Sequence, residues 1–289
     1  MKYNNEKGST YIGISPFNKN IRLGALRTFL YTFLFARKYS LNLYIKCDDT
    51  NPDSQNQDNF KKQIDFLESF GVVLNNNEKT YYNNKIIHQS ENKEVYLGYL
   101  DKLIELDVTS EKEGLISLDI IKATDKINKK SFKINDILKH KINFDLVKSG
   151  YSFIPLYIKH EDRFLFHIPC VVDEYIMNTE VAIRGEDKIP ISPVHDLLRI
   201  LFDFNPVKYL HLPVILDKNT NKRLKGDQYS IDEFLKVFSE KTLKKYLISS
   251  AYSKPVSFQT LKDFLDVFDY KNIKKKSGFF EYRDIEKYN

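Results

Sequence analysis

The chain has no tryptophan and, in 289 residues, only 2 cysteines. The missing Trp accompanies an abundance of Lys, Asn, Ile and Tyr, a compositional bias that carries no functional reading. Cys47 and Cys170 lie far apart and form no CxxC pair. That speaks against structural zinc and a disulfide-stapled scaffold, and points to a reducing compartment. The most apolar run, FLYTFLFA at 29–36, is too short to span a bilayer and is flanked by Arg27, Arg37 and Lys38. The opening MKYNNEKGSTY is polar, with no apolar run or cleavage site. A cytoplasmic protein with no membrane partner is the expectation. Repeats, low-complexity tracts and a Gly-rich phosphate loop are also absent.

What is present suits a folded chain. A hydrophobic fraction of 42%, with 21 Phe and 19 Tyr, can fill a sizeable core in one large domain or two modest ones. The net charge of +6 fits either a polyanionic partner or a solvated basic surface.

Along the chain, TYIGIS (10–15) reads as a buried strand and RLGALRTFLYTFLFARKYS (22–40) as a helix packed on a sheet. LNLYIKCDD (41–49) follows as a second strand, which makes a β-α-β unit of a parallel, doubly wound sheet. NQDNFKKQIDFLESFGV (56–72) predicts a helix closed by Gly71, and SENKEVYLGYLDKLIELD (90–107) another with Ser90 as N-cap. Short alternating runs between 108 and 165 predict an inserted antiparallel region. RGEDKIPISPVHDLLRILFDF (184–204) returns to strand-turn-helix, YLHLPVIL (209–216) is a last strand, and 230–289 reads as short amphipathic helices. The expected division is therefore 1–107, 108–165, 166–229 and 230–289.

The stretch GISPFNKNIRLGALRT (13–28) opens a helix at a Ser-Pro turn with Arg22 at its entrance. Together with LFARKYSLNLYIKCDDTNPD it resembles the opening of the glutamyl-tRNA synthetases, class I aminoacyl-tRNA synthetases with a Rossmann catalytic domain. That family carries HIGG, ART, LFAR and R-I-E-D-T-D there. In order along the chain, HQSENKEVYLGYLDKL is similar to the family's QSER helix, PLYIKHEDRFLFHIPCVVDEYIM to its return strand, VAIRGED to VIRGED, and NKRLKGD to the KLSKR loop. The resemblance implies an α/β fold: a Rossmann-type parallel sheet, an inserted acceptor-binding subdomain and a C-terminal helical region. It also implies that an anticodon-binding domain would begin where this chain ends.

Activating an amino acid means attack of its carboxylate on the α-phosphate of ATP, which demands cations and donors around the phosphates. By the resemblance, Arg22 takes the place of the signature His, and Lys222 and Lys225 those of the two loop lysines; these three are the expected catalytic cations. Leu224 stands for Ser and Gly226 for Arg. Ser15, Pro16, Gly24, Arg27, Gly185, Glu186 and Asp187 are expected around ATP. Tyr11 replaces a substrate-pairing Arg, Asp48 stands for the ammonium-binding Glu, Phe166 replaces a Tyr, and Arg184 is retained; these four are expected at the amino acid. Without the resemblance, Asp48 and Asp49 read equally as solvated carboxylates, and NKRLKGD as a solvated basic loop. The implied function is ATP-dependent formation of an aminoacyl-adenylate, from glutamate or an altered amino acid, with Mg2+ accompanying ATP. Transfer would follow to a tRNA acceptor end or another carrier. The alternative is an inactive synthetase-like protein that binds tRNA or a partner enzyme.

Overall fold

The computed structural model describes residues 7–72, 86–224, 226–255 and 257–288. Lys225, one of the expected catalytic cations, lies outside them. The first strand, β1 (Ser9–Ile14), is β-branched and buried along nearly its whole length. A helix, α1 (Leu23–Lys38), then returns to strand β2 (Asn42–Cys47), and the two strands pair in parallel from Ser9↔Asn42 to Ile14↔Cys47. Helix α1 is apolar around most of its circumference, as a helix covered on both sides must be. Leu23, Leu26, Leu30 and Leu34 are fully buried, and Tyr31 donates to the Ile248 carbonyl at 2.7 Å. At its basic C-terminus, Lys38 donates to the carbonyls of Leu265 and Asp266.

Helix α2 (Gln57–Ser69) is capped by the Asn56 side chain on the Asn59 amide and closes before Gly71, whose φ of +85° suits glycine. Strand β3 (Ile86–His88) pairs in parallel with β2. Residues Gln89–Asn92 form a single 3-10 turn before helix α3 (Lys93–Glu105), so Ser90 does not cap α3 as expected. Its amide and hydroxyl instead bind the buried Asp49 carboxylate, at 2.9 and 2.8 Å.

The inserted region forms an antiparallel sheet from β4 (Thr109–Lys112), β5 (Leu115–Asp119), β8 (Phe153–Ile158) and β9 (Arg163–Phe164), with helix α4 (Ile120–Lys126) between. The hairpin of β6 (Ser131–Asp136) and β7 (His140–Asp145) leaves this sheet, because Asp136 pairs with Tyr209 in the parallel sheet. The stretch 108–165 thus serves two sheets. Helix α5 (His167–Ile176), strand β10 (Val181–Gly185), helix α6 (Ser192–Phe202) and strand β11 (Lys208–Leu212) complete the second half.

Backbone bonds from Ser9 to Asn178 and from Glu180 back to Ser9 join β1 to the segment leading into β10. The parallel order is therefore β3-β2-β1-β10-β11, with its topological switch between β1 and β10, where ligands of doubly wound sheets sit. The strand expected at 209–216 is two strands. Pro213 cannot donate to a ladder, and the chain resumes as β12 (Ile215–Asp217). Helices α7 (Ile231–Leu235), α8 (Glu240–Ala251) and α9 (Leu261–Val267) follow. Strand β13 (Gly278–Phe280) pairs in parallel with β12, and α10 (Tyr282–Glu286) closes the tail. One main core lies between the β1–β2 layer, α1 and the C-terminal helices; a second joins α3, α5 and α6 to the inserted sheet. No helix among the described residues is long and apolar enough to cross a membrane.

Candidate active site

A cavity of about 430 Å³ opens at the switch point, bounded by the ends of β1, β2 and β10, the start of α1 and the loop after β12. Its floor is bare backbone. A Cβ added at Gly24 would meet nothing within 4 Å, whereas one at Gly13 would stand 3.2 Å from the Asp48 carboxylate. A Cβ at Gly185 would collide with the Asp187 carboxylate, so glycine there lets Asp187 fold back. Ser15 and Asn18 form the entry loop, braced from α2 by Gln63, which donates to both their carbonyls at 3.3 and 2.8 Å.

The cavity carries four cations, Arg22, Arg27, Lys188 and Arg223, against two carboxylates, Asp48 and Asp187. Arg22 is exposed at the N-cap of α1, where no side chain caps the helix and no acidic residue sits in the first turn. Its guanidinium donates to the neutral Asn18 side chain at 3.1 Å. The orphan N–H groups of α1 and the Arg22 charge therefore face one space. Arg27 is buried and donates to the Pro213 carbonyl; burial pushes it down to about 10, so it remains charged at neutral pH. It fixes the β11–β12 connection. Arg223 reaches Asp187 at 2.6 Å across the cavity, and the Lys188 ammonium lies 5.5 Å from the Phe166 ring centre. Asp48 pairs with buried Lys46 at 2.7 Å. Burial disfavours the Lys46 ammonium, but Asp48 more than offsets this and raises its pKa.

Inward of the cavity lies a buried ionic cluster. The Glu174 carboxylate on α5 pairs with both Arg184 and Arg199, and the Tyr11 hydroxyl donates to it at 2.6 Å. Burial alone would raise the Glu174 pKa, yet the two guanidiniums hold it at about 2. Arg199 also pairs with Asp196 at 2.9 Å, and Lys46 lies over the Tyr11 ring. His195 is fully buried and held well below its ordinary pKa by burial and by Arg184. His167 is pushed down to about 4, chiefly by burial.

Two groups of metal-ligating atoms occur among the described residues, Cys47–Asp49–His88 and Cys170–Glu174–His195. In the first, Asp49 is taken up by Ser90 and by His88 at 3.2 Å. In the second, Arg184 contacts all three residues, a poor setting for a cation.

Residues 18–109 match the family model for the catalytic domain of class I tRNA synthetases (E and Q). The chain is 22% identical to a glutamate–tRNA ligase of Latilactobacillus sakei, over 92% of its own length and 63% of the relative's. It is 24% identical to that of Chlorobium luteolum, over 90% and 61%. A solved structure, the glutamate-tRNA synthetase from Elizabethkingia anophelis, superposes with a TM-score of 0.80 at 16% identity, over 98% of this chain and 70% of that one. The chain is thus similar in sequence to glutamate–tRNA ligases and shares the fold of a solved glutamate-tRNA synthetase. It spans about three fifths of the length of the curated relatives it matches.

Within that synthetase fold the expected residues separate into groups. Ser15, Arg22, Gly24, Arg27, Asp48, Gly185 and Asp187 meet at the cavity. Tyr11 and Arg184 lie behind it in the buried cluster, and Phe166 is half-exposed beside His167 and His195. Pro16 and Glu186 do not line the cavity. The Pro16 carbonyl accepts from Asn59, while Glu186 gathers Lys139, Ser277 and the Val214 amide, tying β12 and the tail to the sheet. Lys222 is exposed and off the cavity, and the neighbouring Arg223 and Leu224 line it instead. Sequence reasoning missed Lys188, Arg223 and Gln63. The only available signal was the cationic character of NKR and of RGEDK.

Proposed function

We propose that this chain binds ATP in the switch-point cavity and joins an amino acid to it as an aminoacyl-adenylate. The carrying observation is a cavity whose cations outnumber its carboxylates at an uncapped helix N-terminus, beside the glycine floor of Gly13, Gly24 and Gly185. Such a surface suits a polyphosphate. The adenosine lies against Gly24 and Gly185, where backbone permits close approach. The amino acid's ammonium faces Asp48 and its carboxylate attacks the α-phosphorus; the bond to pyrophosphate breaks as the acyl–phosphate bond forms. Arg22 and the α1 amides meet the charge that develops on the transferring phosphate, with Arg223 and Lys188 beside the departing pyrophosphate. Mg2+ arrives with ATP as part of the substrate. A tRNA acceptor end or another carrier then takes the acyl group.

A reading as a non-catalytic synthetase-like binder is favoured by one observation, the pairing of Arg223 with Asp187 across the site. ATP–pyrophosphate exchange over all amino acids, with and without bulk tRNA, decides between them. Exchange with at least one amino acid is expected. Silence throughout, with ATP leaving the melting temperature unmoved, sinks the adenylation reading.

A further inference from the structure

We infer that Asp217 and Tyr229 are positioning residues for phosphate binding: the hydrogen bond between them holds the turn that brings Arg223 to the cavity. This rests on the adenylation reading in one respect, that a polyphosphate occupies the cavity, and deepens it by naming what arranges the cations.

Asp217 ends β12 and opens the polar stretch DKNTNKR. One oxygen of its carboxylate accepts from the amides of Asn219 and Thr220, at 2.9 and 2.8 Å, a turn that a short acidic side chain favours. Asn221 takes a φ of +54°, which asparagine tolerates. The chain then doubles back. The Asp217 amide donates to the Lys222 carbonyl at 2.7 Å, the Asn221 amide donates to the Asp217 carbonyl at 2.8 Å, and Arg223 bridges Leu216 in the antiparallel sense. Arg223 stands on the returning arm, so the place of its guanidinium follows from the turn that Asp217 organises.

The other carboxylate oxygen accepts from the Tyr229 hydroxyl at 2.7 Å. Tyr229 is anchored in turn. Its ring meets the Phe280 ring edge to face, with centres 6.0 Å apart, on the strand that pairs with β12. The next residue, Ser230, bridges Arg22, and the Ile231 amide donates to the Ile21 carbonyl at 2.9 Å. A short series of contacts therefore joins the two cations: Arg22 backbone to Ser230, Tyr229 to Asp217, and Asp217 to the turn that carries Arg223. Arg22, Arg223 and Leu224 line the cavity, whereas Asp217 and Tyr229 do not, so these two act through Arg223. Asp187 also holds Arg223, but ATP must break that pair, while the bond between Asp217 and Tyr229 can persist with ATP bound. A part-exposed hydrogen bond of this kind does little for folding, because water replaces it readily. Its effect falls on the fraction of molecules whose Arg223 stands where a phosphate can reach it.

The test is calorimetric titration of ATP into the full chain carrying Tyr229→Phe, alone and together with Arg223→Ala. Tyr229→Phe removes one hydroxyl and keeps the ring, so the unfolding midpoint should hardly move. ATP affinity is expected to fall about threefold, the scale of one hydrogen bond, and by less than in Arg223→Ala alone. In the Arg223→Ala background the same substitution should change nothing, a dependence that a merely structural role would not produce. Asp217 supplies a second pair of variants. Asp217→Ala opens turn and bond together and should approach the Arg223→Ala affinity, while Asp217→Asn keeps an oxygen for the Asn219 and Thr220 amides and should lose less. An unchanged or tighter ATP affinity in Tyr229→Phe overturns the inference and leaves the adenylation reading standing, and so does an equal loss with and without Arg223. If the wild type does not bind ATP, the adenylation reading falls by itself. The positioning claim is then read from trypsin cleavage after Arg223, which Tyr229→Phe should speed about threefold as the turn opens more often; an equal rate overturns it.

Discussion

The cavity and the cluster behind it are adjacent and built from the same strands, yet they handle charge in opposite ways. In the cavity, Arg22 has only a neutral partner and Arg223 is itself half-exposed, so cationic charge is held ready for a ligand. In the cluster, Glu174, Arg184 and Arg199 are buried and satisfy one another. Charge kept wet or weakly paired stays available to a ligand; charge paired internally does not. If that contrast is right, substitutions in the cluster should be felt first as stability, and substitutions in the cavity first as activity.

The largest effect is expected at Glu174→Ala. It strands the buried Arg184 guanidinium and leaves Arg199 with Asp196 alone, so a loss of roughly 3–5 kcal/mol is expected in denaturant unfolding. A loss below about 1 kcal/mol, the range of exposed ion pairs, breaks the claim that the cluster is closed to water. Arg22→Ala comes next and with the opposite profile. Arg22 is exposed and makes one hydrogen bond to a neutral amide, so stability should hardly move. The rate of pyrophosphate exchange should fall about 10²–10³-fold, the scale of losing one donor to a developing charge. An unfolding midpoint that shifts while exchange persists would reverse its assignment.

These two residues also mark what was legible in the sequence. Arg22 was, because a strand, a Ser-Pro turn and an uncapped apolar helix fall in order, and local order is what sequence carries best. The parallel β-α-β opening and the return at RGED were legible for the same reason. Glu174 was not: it sits in the apolar helix HIPCVVDEYI, and only the packing of β1, β10 and α6 around it supplies Tyr11, Arg184 and Arg199. The division of 209–216 into two strands could have been read from Pro213. The docking of β6 on β11 could not, since it depends on the single long-range pairing of Asp136 with Tyr209. Arg223 was passed over because its position resembles an apolar one of the KLSKR loop, while Lys222 beside it resembles a lysine.

A third prediction tests burial beside the ionic cluster, where His167 packs on His195. Burial lowers His167 from its ordinary pKa to about 4. The unfolded chain then binds this proton below about pH 6.5 while the folded chain refuses it until near pH 4. Stability from this group is therefore full above 6.5 and is lost as the pH falls toward 4. Asp173, raised to about 6 by burial, works in the opposite sense, since its folded form takes up a proton first and gains stability as the pH falls through 6. The His167 share is isolated by comparison with His167→Gln. The variant should gain on the wild type by about 2 kcal/mol between pH 6.5 and pH 4 in urea unfolding. Parallel stability curves would mean that the imidazole is accessible to water.

The smallest effect sharpens the open side of the contrast. Arg223 spans the cavity to Asp187 at 2.6 Å, but its side chain is half-exposed, so the pair itself adds little to stability. Its consequence is competitive: ATP must draw Arg223 away from Asp187 before that guanidinium can meet phosphate. Two substitutions then move ATP affinity in opposite directions. Arg223→Ala removes a charge-assisted phosphate contact and should weaken binding about tenfold. Asp187→Asn removes the competitor, leaves the arginine in place and should tighten binding by a factor of about 2–5. Calorimetric titration with ATP at low and high salt reads both, and the Asn variant's advantage should shrink as salt screens the competing pair. If both substitutions weaken ATP equally, Asp187 contacts the nucleotide directly and the pair is part of the bound state rather than a latch against it.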